Sequence, residues 1–155
     1  MTAQDHGNPN VRAFWEAYVS AAGATGTCDV WSFGGDDTPA LATELANLVL
    51  TGRKTATTSL LRDYTADAEP LPRPGTLSLI LDGRGEPACV IRTRRVQVRP
   101  FGEVDAAFAW SEGEGDRSLA QWRDSHLRFF ADAGSSVDDE TPVVLEWFDL
   151  VWPPP

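Results

Sequence analysis

The sequence predicts an α+β fold in which helices flank a small, highly curved sheet or barrel. Some segments repeat apolar residues with the period of an α-helix, and other, shorter segments are rich in β-branched residues. Helices and antiparallel strands are segregated along the chain, which favours α+β over an alternating α/β fold. With 155 residues the chain can bury one core. We therefore expect a flexible tail over residues 1–10 and a single domain over residues 11–155.

Two helices are predicted in the first third of the chain. Apolar residues recur at helical spacing over residues 11–22, and Gly23 ends the pattern. The second helix begins with Thr38 as its N-cap and Pro39 at its first helical position. Gly52 is well placed to be its C-cap.

The remaining elements follow from β-branched runs and turn residues. Strands are expected over residues 55–61, 77–81, 88–98 and 142–151. A hairpin turn over residues 82–85 joins the second and third of them, and residues 63–75 form a Pro-containing loop. A short helix is expected over residues 104–110. A longer helix follows, with Asp116 as its N-cap.

Composition and charge limit the classes of function. No run of about 18 apolar residues is present and the N-terminus lacks the pattern of a signal peptide, so a cytoplasmic protein without a membrane span is expected. The net charge of −10 disfavours long nucleic acid as a partner, although it leaves room for a single nucleotide. Cys28 and Cys89 have no partners at zinc spacing and are expected to be buried thiols.

Lys54 is the only lysine among the 13 lysine and arginine residues. A lysine amine can lose its proton when it is desolvated, whereas an arginine stays charged. A neutral amine at this position could take the proton of the Thr57 hydroxyl and make it a nucleophile, with Thr55 and Ser59 as alternatives. The competing interpretation is a surface lysine left over by compositional bias.

A glycine-rich acidic run, residues 111–118, lies just before the last predicted helix. Glu112 and Glu114 are on a turn at which the backbone can approach a ligand closely. A carboxylate near Lys54 would hold its amine and could shuttle a proton. The spacing does not match a calcium-binding EF-hand loop, so no metal site is expected.

Aromatic residues flank the Lys54 segment. Trp31 and Tyr64 could stack on a base, as aromatic side chains do with single-stranded RNA. Core packing is the alternative for both and is the expected role of Phe33. His126 lies on the apolar face of a helix and is expected to be a core histidine.

The order of these motifs resembles the ASCH domain family, in particular its longer bacterial single-domain members. The resemblance covers residues 11–151 and rests on Trp-Ser-Phe-Gly at 31–34, Leu-Thr-Gly-Arg-Lys-Thr-Ala-Thr at 50–57 and Glu-Gly-Glu-Gly-Asp-Arg-Ser-Leu at 112–119. It implies a PUA-like fold, a small mixed or antiparallel β-barrel flanked by helices. It also implies a role linked to RNA or nucleosides.

The resemblance further implies a chemistry. Short ASCH members include an amidohydrolase that removes the acyl group of N4-acetylcytidine with a lysine, a threonine and a glutamate. Their matches here are Lys54, Thr57 and Glu114, with Glu112 as a competitor for the carboxylate. A metal-independent hydrolase without a cofactor is therefore expected, acting on a modified pyrimidine nucleoside. The expected substrate-binding residues are Trp31, Arg53, Ser59, Tyr64, Glu112, Arg117 and Ser118.

Two alternatives stay open. A longer family member resembles a ribonuclease, which would imply cleavage of short single-stranded RNA. Arg92, Arg94, Arg95 or Arg117 would then hold phosphate, and Lys54 would stabilise the developing charge. The third possibility is a noncatalytic RNA-binding module, because a fold alone does not imply catalysis. The chain also departs from the short amidohydrolases in its extra N-terminal helix region and longer glycine-rich turn, both of which could reshape the pocket.

Overall fold

The computed structural model describes residues 2–154, in which five strands and five α-helices alternate irregularly. The strands are β1 (Asp29–Trp31), β2 (Ala56–Leu60), β3 (Leu77–Leu81), β4 (Pro87–Pro100) and β5 (Pro142–Trp152). The α-helices are α1 (Pro9–Ala22), α2 (Pro39–Leu50), α3 (Leu61–Ala66), α4 (Ala106–Glu112) and α5 (Leu119–Asp132), and a 3₁₀ turn covers Phe101–Glu103. None of the helices in residues 2–154 has the length and apolar character needed to cross a bilayer.

The strands form one mixed sheet in the order β1-β3-β4-β5-β2. β1 pairs with β3 in parallel, and the other three pairings are antiparallel. The register of β4 against β5 shifts at residues 90–91 and 93–95, and such bulges bend and twist a strand pair. The sheet accordingly curls into a half-barrel flanked by helices, which confirms the predicted α+β, PUA-like fold.

Three apolar clusters hold the helices on the curled sheet. One cluster lies between α4, α5 and the β2–β5 pair, and a second lies between α2 and strands β3 to β5. The third packs α1 against β3 and β4 through Trp15 and Tyr18. Burying one large apolar side chain contributes about 1.5–3 kcal/mol, so these clusters fix the relative positions of the helix ends that build the site.

The N-terminal part of the chain differs from its predicted boundaries. Helix α1 begins at Pro9, two residues before the apolar pattern, because Asn8 caps it by accepting from the backbone N–H of Asn10. The segment expected to be a flexible tail has contacts in its described part: Thr2 forms a β-bridge with Asp29, and Ala3 is buried. Met1 and Pro155, the outer ends of the predicted tail and domain, lie outside the described residues.

Three further boundaries need correction. Residues 61–66 form the short helix α3, although residues 63–75 were expected to be a loop throughout. Helix α5 begins at Leu119, and its N-cap is Ser118 rather than Asp116, whose carboxylate accepts from the Ser118 N–H instead. The C-cap of α2 is Thr51, and Gly52 follows it with a left-handed φ of 79°.

Other predictions agree with the structure. Thr38 is the N-cap of α2 and Pro39 its first residue. Cys28 and Cys89 are buried free thiols, and burial raises the pKa of Cys28 to about 11 and that of Cys89 to about 12. Thiols with such pKa values are poor nucleophiles at neutral pH.

Candidate functional site

The segment that contains Lys54 follows α2 in the chain and is hydrogen-bonded to the end of α4. After the left-handed turn at Gly52, the Lys54 N–H donates back to the carbonyl of Leu48 at 3.0 Å. The next amide, that of Thr55, donates to the Ser111 carbonyl at 2.8 Å. Two backbone contacts therefore fix Lys54 before β2 begins.

The glycine-rich turn after α4 is clamped to this segment. Gly113 has φ 73°, and a Cβ at this position would lie 2.3 Å from the Arg53 carbonyl oxygen, so only glycine fits. The Arg53 guanidinium donates to the carbonyls of Gly113 at 2.6 Å and Gly115 at 2.8 Å. Arg117 donates to the carbonyls of Trp110 and Arg53 and stacks 3.8 Å from the Trp110 ring. Both predicted substrate-binding arginines thus hold backbone carbonyls.

The clamp brings Lys54 and Glu114 together as an ion pair. Lys54 Nζ lies 3.2 Å from Glu114 Oε2, and Lys54 is only 2% exposed. Burial raises the pKa of Glu114, although the Lys54 charge opposes this effect. The sequence-based expectation that a carboxylate holds the Lys54 amine agrees with this geometry. A buried amine beside a carboxyl of raised pKa is a pair within which one proton can move.

Glu112 forms the anionic centre of a second, adjoining network. Its Oε2 accepts from Trp122 Nε1 at 2.6 Å and from His126 Nε2 at 2.9 Å, and its Oε1 accepts from Thr58 Oγ1 at 2.9 Å. Burial alone would raise the pKa of this carboxyl, but the Lys54 charge, His126 and the hydrogen bonds outweigh burial and lower it. Glu112 is therefore held as an ionised carboxylate near the Lys54–Glu114 pair.

His126 is a network member rather than an inert core residue. Burial lowers the pKa of its imidazole, but the Glu112 carboxylate outweighs burial, so the net shift is upward. Its Nδ1 lies 2.8 Å from the Trp122 carbonyl oxygen, which fixes the ring. Its position on an apolar helix face was predicted, whereas the bond to Glu112 was not, because it depends on how α4 meets α5.

Glu112, Glu114 and His126 also have the geometry of a potential metal site, with ligand atoms within 4.8 Å of one another. Their partners argue against this use. Both Glu112 oxygens already accept hydrogen bonds, and Glu114 is already paired with the positively charged Lys54 ammonium. A cation would have to displace these donors, so the residues fit an ion-paired network better than a metal.

A cavity of about 770 Å³ opens beside this network. It has the size of a small-molecule site. Four predicted site residues lie on its wall: Trp31, Thr57, Ser59 and Tyr64. Ser59 Oγ donates to Tyr64 Oη at 3.1 Å, and burial raises the pKa of Tyr64, so its phenol stays neutral.

The cavity contains a carboxyl that the sequence analysis missed. Glu146 of β5 is 5% exposed, lines the cavity and lies directly opposite Thr57 in the β2–β5 ladder. Thr93 Oγ1 donates to its Oε1 at 2.6 Å, and burial raises its pKa. The available signal is one acidic residue within the apolar run of residues 143–148, a run that otherwise has the composition of an ordinary buried strand.

The charged residues around the cavity are mainly acidic. Its lining contains a single basic residue, Arg73, and five acidic ones: Asp29, Asp63, Asp67, Glu69 and Glu146. A cleft lined by one sign of charge repels ligands of the same sign. The cavity therefore suits a neutral or cationic molecule better than a polyphosphate or an RNA backbone.

The predicted site residues are therefore divided between the Lys54–Glu114 pair, the cavity wall and positions that belong to neither. Lys54 and Glu114 lie beside the cavity rather than in its lining; Lys54 Nζ is 5.2 Å from the centroid of the cavity-lining Phe33 ring. Within residues 2–154, Lys54 Nζ hydrogen-bonds to Glu114 and not to Thr57. Ser118, which was predicted to bind substrate, caps α5 by accepting from the Gln121 N–H at 3.1 Å and does not line the cavity.

Comparisons with known proteins identify the family and agree with the fold. The model of the ASCH domain matches residues 29–152, whereas no functionally curated protein matches the chain. An ASCH domain from Lactobacillus crispatus JV V101 is 31% identical, with a TM-score of 0.81 over 93% of this chain and 95% of that one. A DUF984 family protein from Enterococcus faecalis V583 is 32% identical, with a TM-score of 0.80 over 92% and 90%. The chain therefore belongs to the ASCH domain family.

Proposed function

We propose that this ASCH domain protein is a metal-independent hydrolase that removes an acyl group from a modified pyrimidine nucleoside such as N4-acetylcytidine. The observation that carries this proposal is the buried Lys54–Glu114 pair beside a nucleoside-sized cavity, with Thr57 on the cavity wall. A neutral nucleoside also suits the acidic lining, because it brings no phosphate charge into the cavity.

In the proposed reaction, the Lys54 ammonium first passes a proton to Glu114, whose raised pKa favours the protonated form. The neutral amine then moves from its place beside Phe33 toward Thr57 and accepts the hydroxyl proton as Thr57 Oγ attacks the acyl carbonyl carbon. The tetrahedral intermediate collapses with cleavage of the carbon–N4 bond, and the leaving nitrogen takes the proton from Lys54. Water, deprotonated by Lys54, finally attacks the Thr57 ester; acetic acid is released as Thr57 Oγ takes a proton from Lys54, and Glu114 returns its proton to the Lys54 amine.

The test is product analysis by chromatography and mass spectrometry with N4-acetylcytidine as substrate. Wild type should release cytidine and acetate, and Thr57→Val should lose activity at least 100-fold, because it keeps the β-branched shape of threonine without the nucleophile. Ser32→Ala is the matched control, because it removes another hydroxyl from the same cavity wall. Equal rates for wild type and Thr57→Val would overturn the assigned nucleophile, and a wild type without cytidine release would overturn the function.

Cleavage of single-stranded RNA is the second candidate, and one observation favours it. Arg95 and Arg99 of β4 border a separate cavity of about 310 Å³, where the Arg95 guanidinium lies 4.8 Å from the centroid of the Trp147 ring. Arginine beside an aromatic ring is a common platform for an unstacked base. Incubation of wild type and a Lys54→Ala variant with N4-acetylcytidine and with a short single-stranded RNA distinguishes the two: Lys54-dependent RNA fragments, without cytidine release, would favour the ribonuclease.

A further inference from the structure

Glu146 combines features that the proposed reaction leaves unused. Only 5% of the residue is exposed, yet it lines the large cavity. Oε1 accepts from Thr93, whereas Oε2 has no hydrogen-bond partner among residues 2–154. A carboxyl oxygen without a protein partner, on a residue whose small exposed area faces a cavity, is placed to meet a ligand that enters the cavity.

The surroundings determine which hydrogen bonds this carboxyl can offer. Burial favours its neutral form, and the nearby Asp29 charge acts in the same direction. A neutral carboxyl has one O–H donor and a carbonyl acceptor side by side. In that neutral form, the oxygen that accepts from Thr93, Oε1, is the carbonyl, and Oε2 carries the proton. Oε1 keeps a second lone pair for a ligand.

We propose that Glu146 selects the nucleobase by pairing with an edge that carries a ring-nitrogen acceptor beside an exocyclic N–H donor, as cytosine does at N3 and N4. This inference rests on the proposed function, since it names the class of base that the site accepts. Oε2–H donates to N3, and Oε1 accepts from N4–H. An N4-acylated cytosine retains both groups, whereas uracil has a donor at N3 and an acceptor at position 4, so each bond would be reversed.

The position of Glu146 relates this recognition to the proposed chemistry. Thr57 is its direct partner across the β2–β5 ladder, and opposite residues in such a ladder have Cβ atoms about 4.5–5.5 Å apart. A base held through N3 and N4 by Glu146 therefore has its N4 substituent near the Thr57 hydroxyl. The same contact would select the base and place the acyl group for attack.

The experiment measures equilibrium binding of cytidine, uridine and 3-deazacytidine by calorimetry, so that no catalysis is needed. Wild type should bind cytidine roughly tenfold or more tightly than uridine or 3-deazacytidine, the discrimination expected of one bidentate pair. Glu146→Gln should retain the preference, because its amide offers a donor and an acceptor in the same arrangement. Glu146→Leu should abolish the preference, and Asp63→Asn, which removes a carboxylate from the exposed rim, should leave it unchanged.

Several outcomes would overturn the inference. The first is a wild type that binds no nucleoside or shows no preference for cytidine. The second is a Glu146→Leu variant that keeps the preference although its melting temperature shows that it is folded. The third is a Glu146→Gln variant that loses the preference. If Glu146→Leu fails to fold, the Glu146→Gln and 3-deazacytidine results still decide. A cytidine preference that depends on Glu146 without any hydrolysis would reject the proposed function alone. Hydrolysis that depends on Lys54, with binding indifferent to Glu146, would reject this inference alone.

Discussion

The network around Lys54 and the wall of the neighbouring cavity are both polar, but they are built on different principles. In the network, Lys54 pairs with Glu114 and Glu112 accepts from Trp122 and His126; Lys54 and Glu112 are buried, whereas the Glu114 side chain is 25% exposed. On the cavity wall, polar groups such as Ser59 and Glu146 each make a single side-chain hydrogen bond. The comparison teaches that the network consists of charged groups whose hydrogen bonds are satisfied, whereas the wall presents polar groups with unused bonding capacity.

The largest effect is expected from removal of the only network ammonium. Lys54→Met should lower the free energy of unfolding by about 3–5 kcal/mol, because it removes the buried cation that pairs with Glu114 and that favours the ionised form of the buried Glu112. Urea denaturation measures this loss. Arg84→Met is the control: it breaks an ion pair with Asp82 in which the Arg84 side chain is 85% exposed, and such pairs contribute about 0–1 kcal/mol. Similar losses for both variants would remove the distinction between network and surface.

The clamp that positions Glu114 can be tested at its glycine. Gly113→Ala combines a left-handed residue, costing about 1–2 kcal/mol, with a collision against the Arg53 carbonyl. Gly23→Ala is a matched control, since its φ of 63° is similar and no atom lies within 4 Å of the added carbon. Thermal unfolding should show a distinctly greater loss for Gly113→Ala. Equal losses would mean that the turn relaxes without cost and that the clamp is not rigid.

A smaller effect should depend on pH. Because the pKa of His126 is raised in the folded protein, its stabilising contribution is fully present below the unfolded value of about 6.5 and is lost as pH rises through the folded value. The difference in melting temperature between wild type and His126→Asn should therefore be larger at pH 5.5 than at pH 9. A difference that stays constant, or grows with pH, would contradict a charged His126–Glu112 pair.

The smallest effect on stability is expected on the cavity wall. Ser59→Ala removes one neutral hydrogen bond to Tyr64 at the open cavity and should cost about 0.5–1.5 kcal/mol. Its effect on nucleoside affinity should be the more evident one, as measured by calorimetry beside denaturation. A stability loss comparable with that of Lys54→Met would show that the wall, like the network, is structural.

Local chemistry explains which parts could be predicted from the sequence. The caps of α2 were readable because Thr38 and Pro39 act on their own helix, and Lys54 stood out as the only lysine. The resemblance to the ASCH family supplied its pairing with Glu114, a contact across 60 positions of sequence. Strand β1 was missed because three residues that pair in parallel with a distant strand leave almost no local pattern.

The remaining site residues depend on contacts that no local pattern encodes. Glu146 matters because the β2–β5 register places it opposite Thr57, and register is a property of two strands together. Likewise, Arg53 and Arg117 were expected to bind substrate, but the folded chain directs their donors to backbone carbonyls. Charge and motif singled out segments that meet in the fold, whereas the contacts of each side chain follow from packing.

The hydrogen bond from the Thr55 amide to the Ser111 carbonyl reports whether two segments that are distant in sequence are joined. It joins the end of α2 to the end of α4, the two segments beside which Lys54 and Glu114 lie. A chain still emerging from the ribosome has its lysine long before its glutamate, and this hydrogen bond can form only after both segments have been made. In the finished protein, deuterium uptake at that one amide would report how often the junction opens.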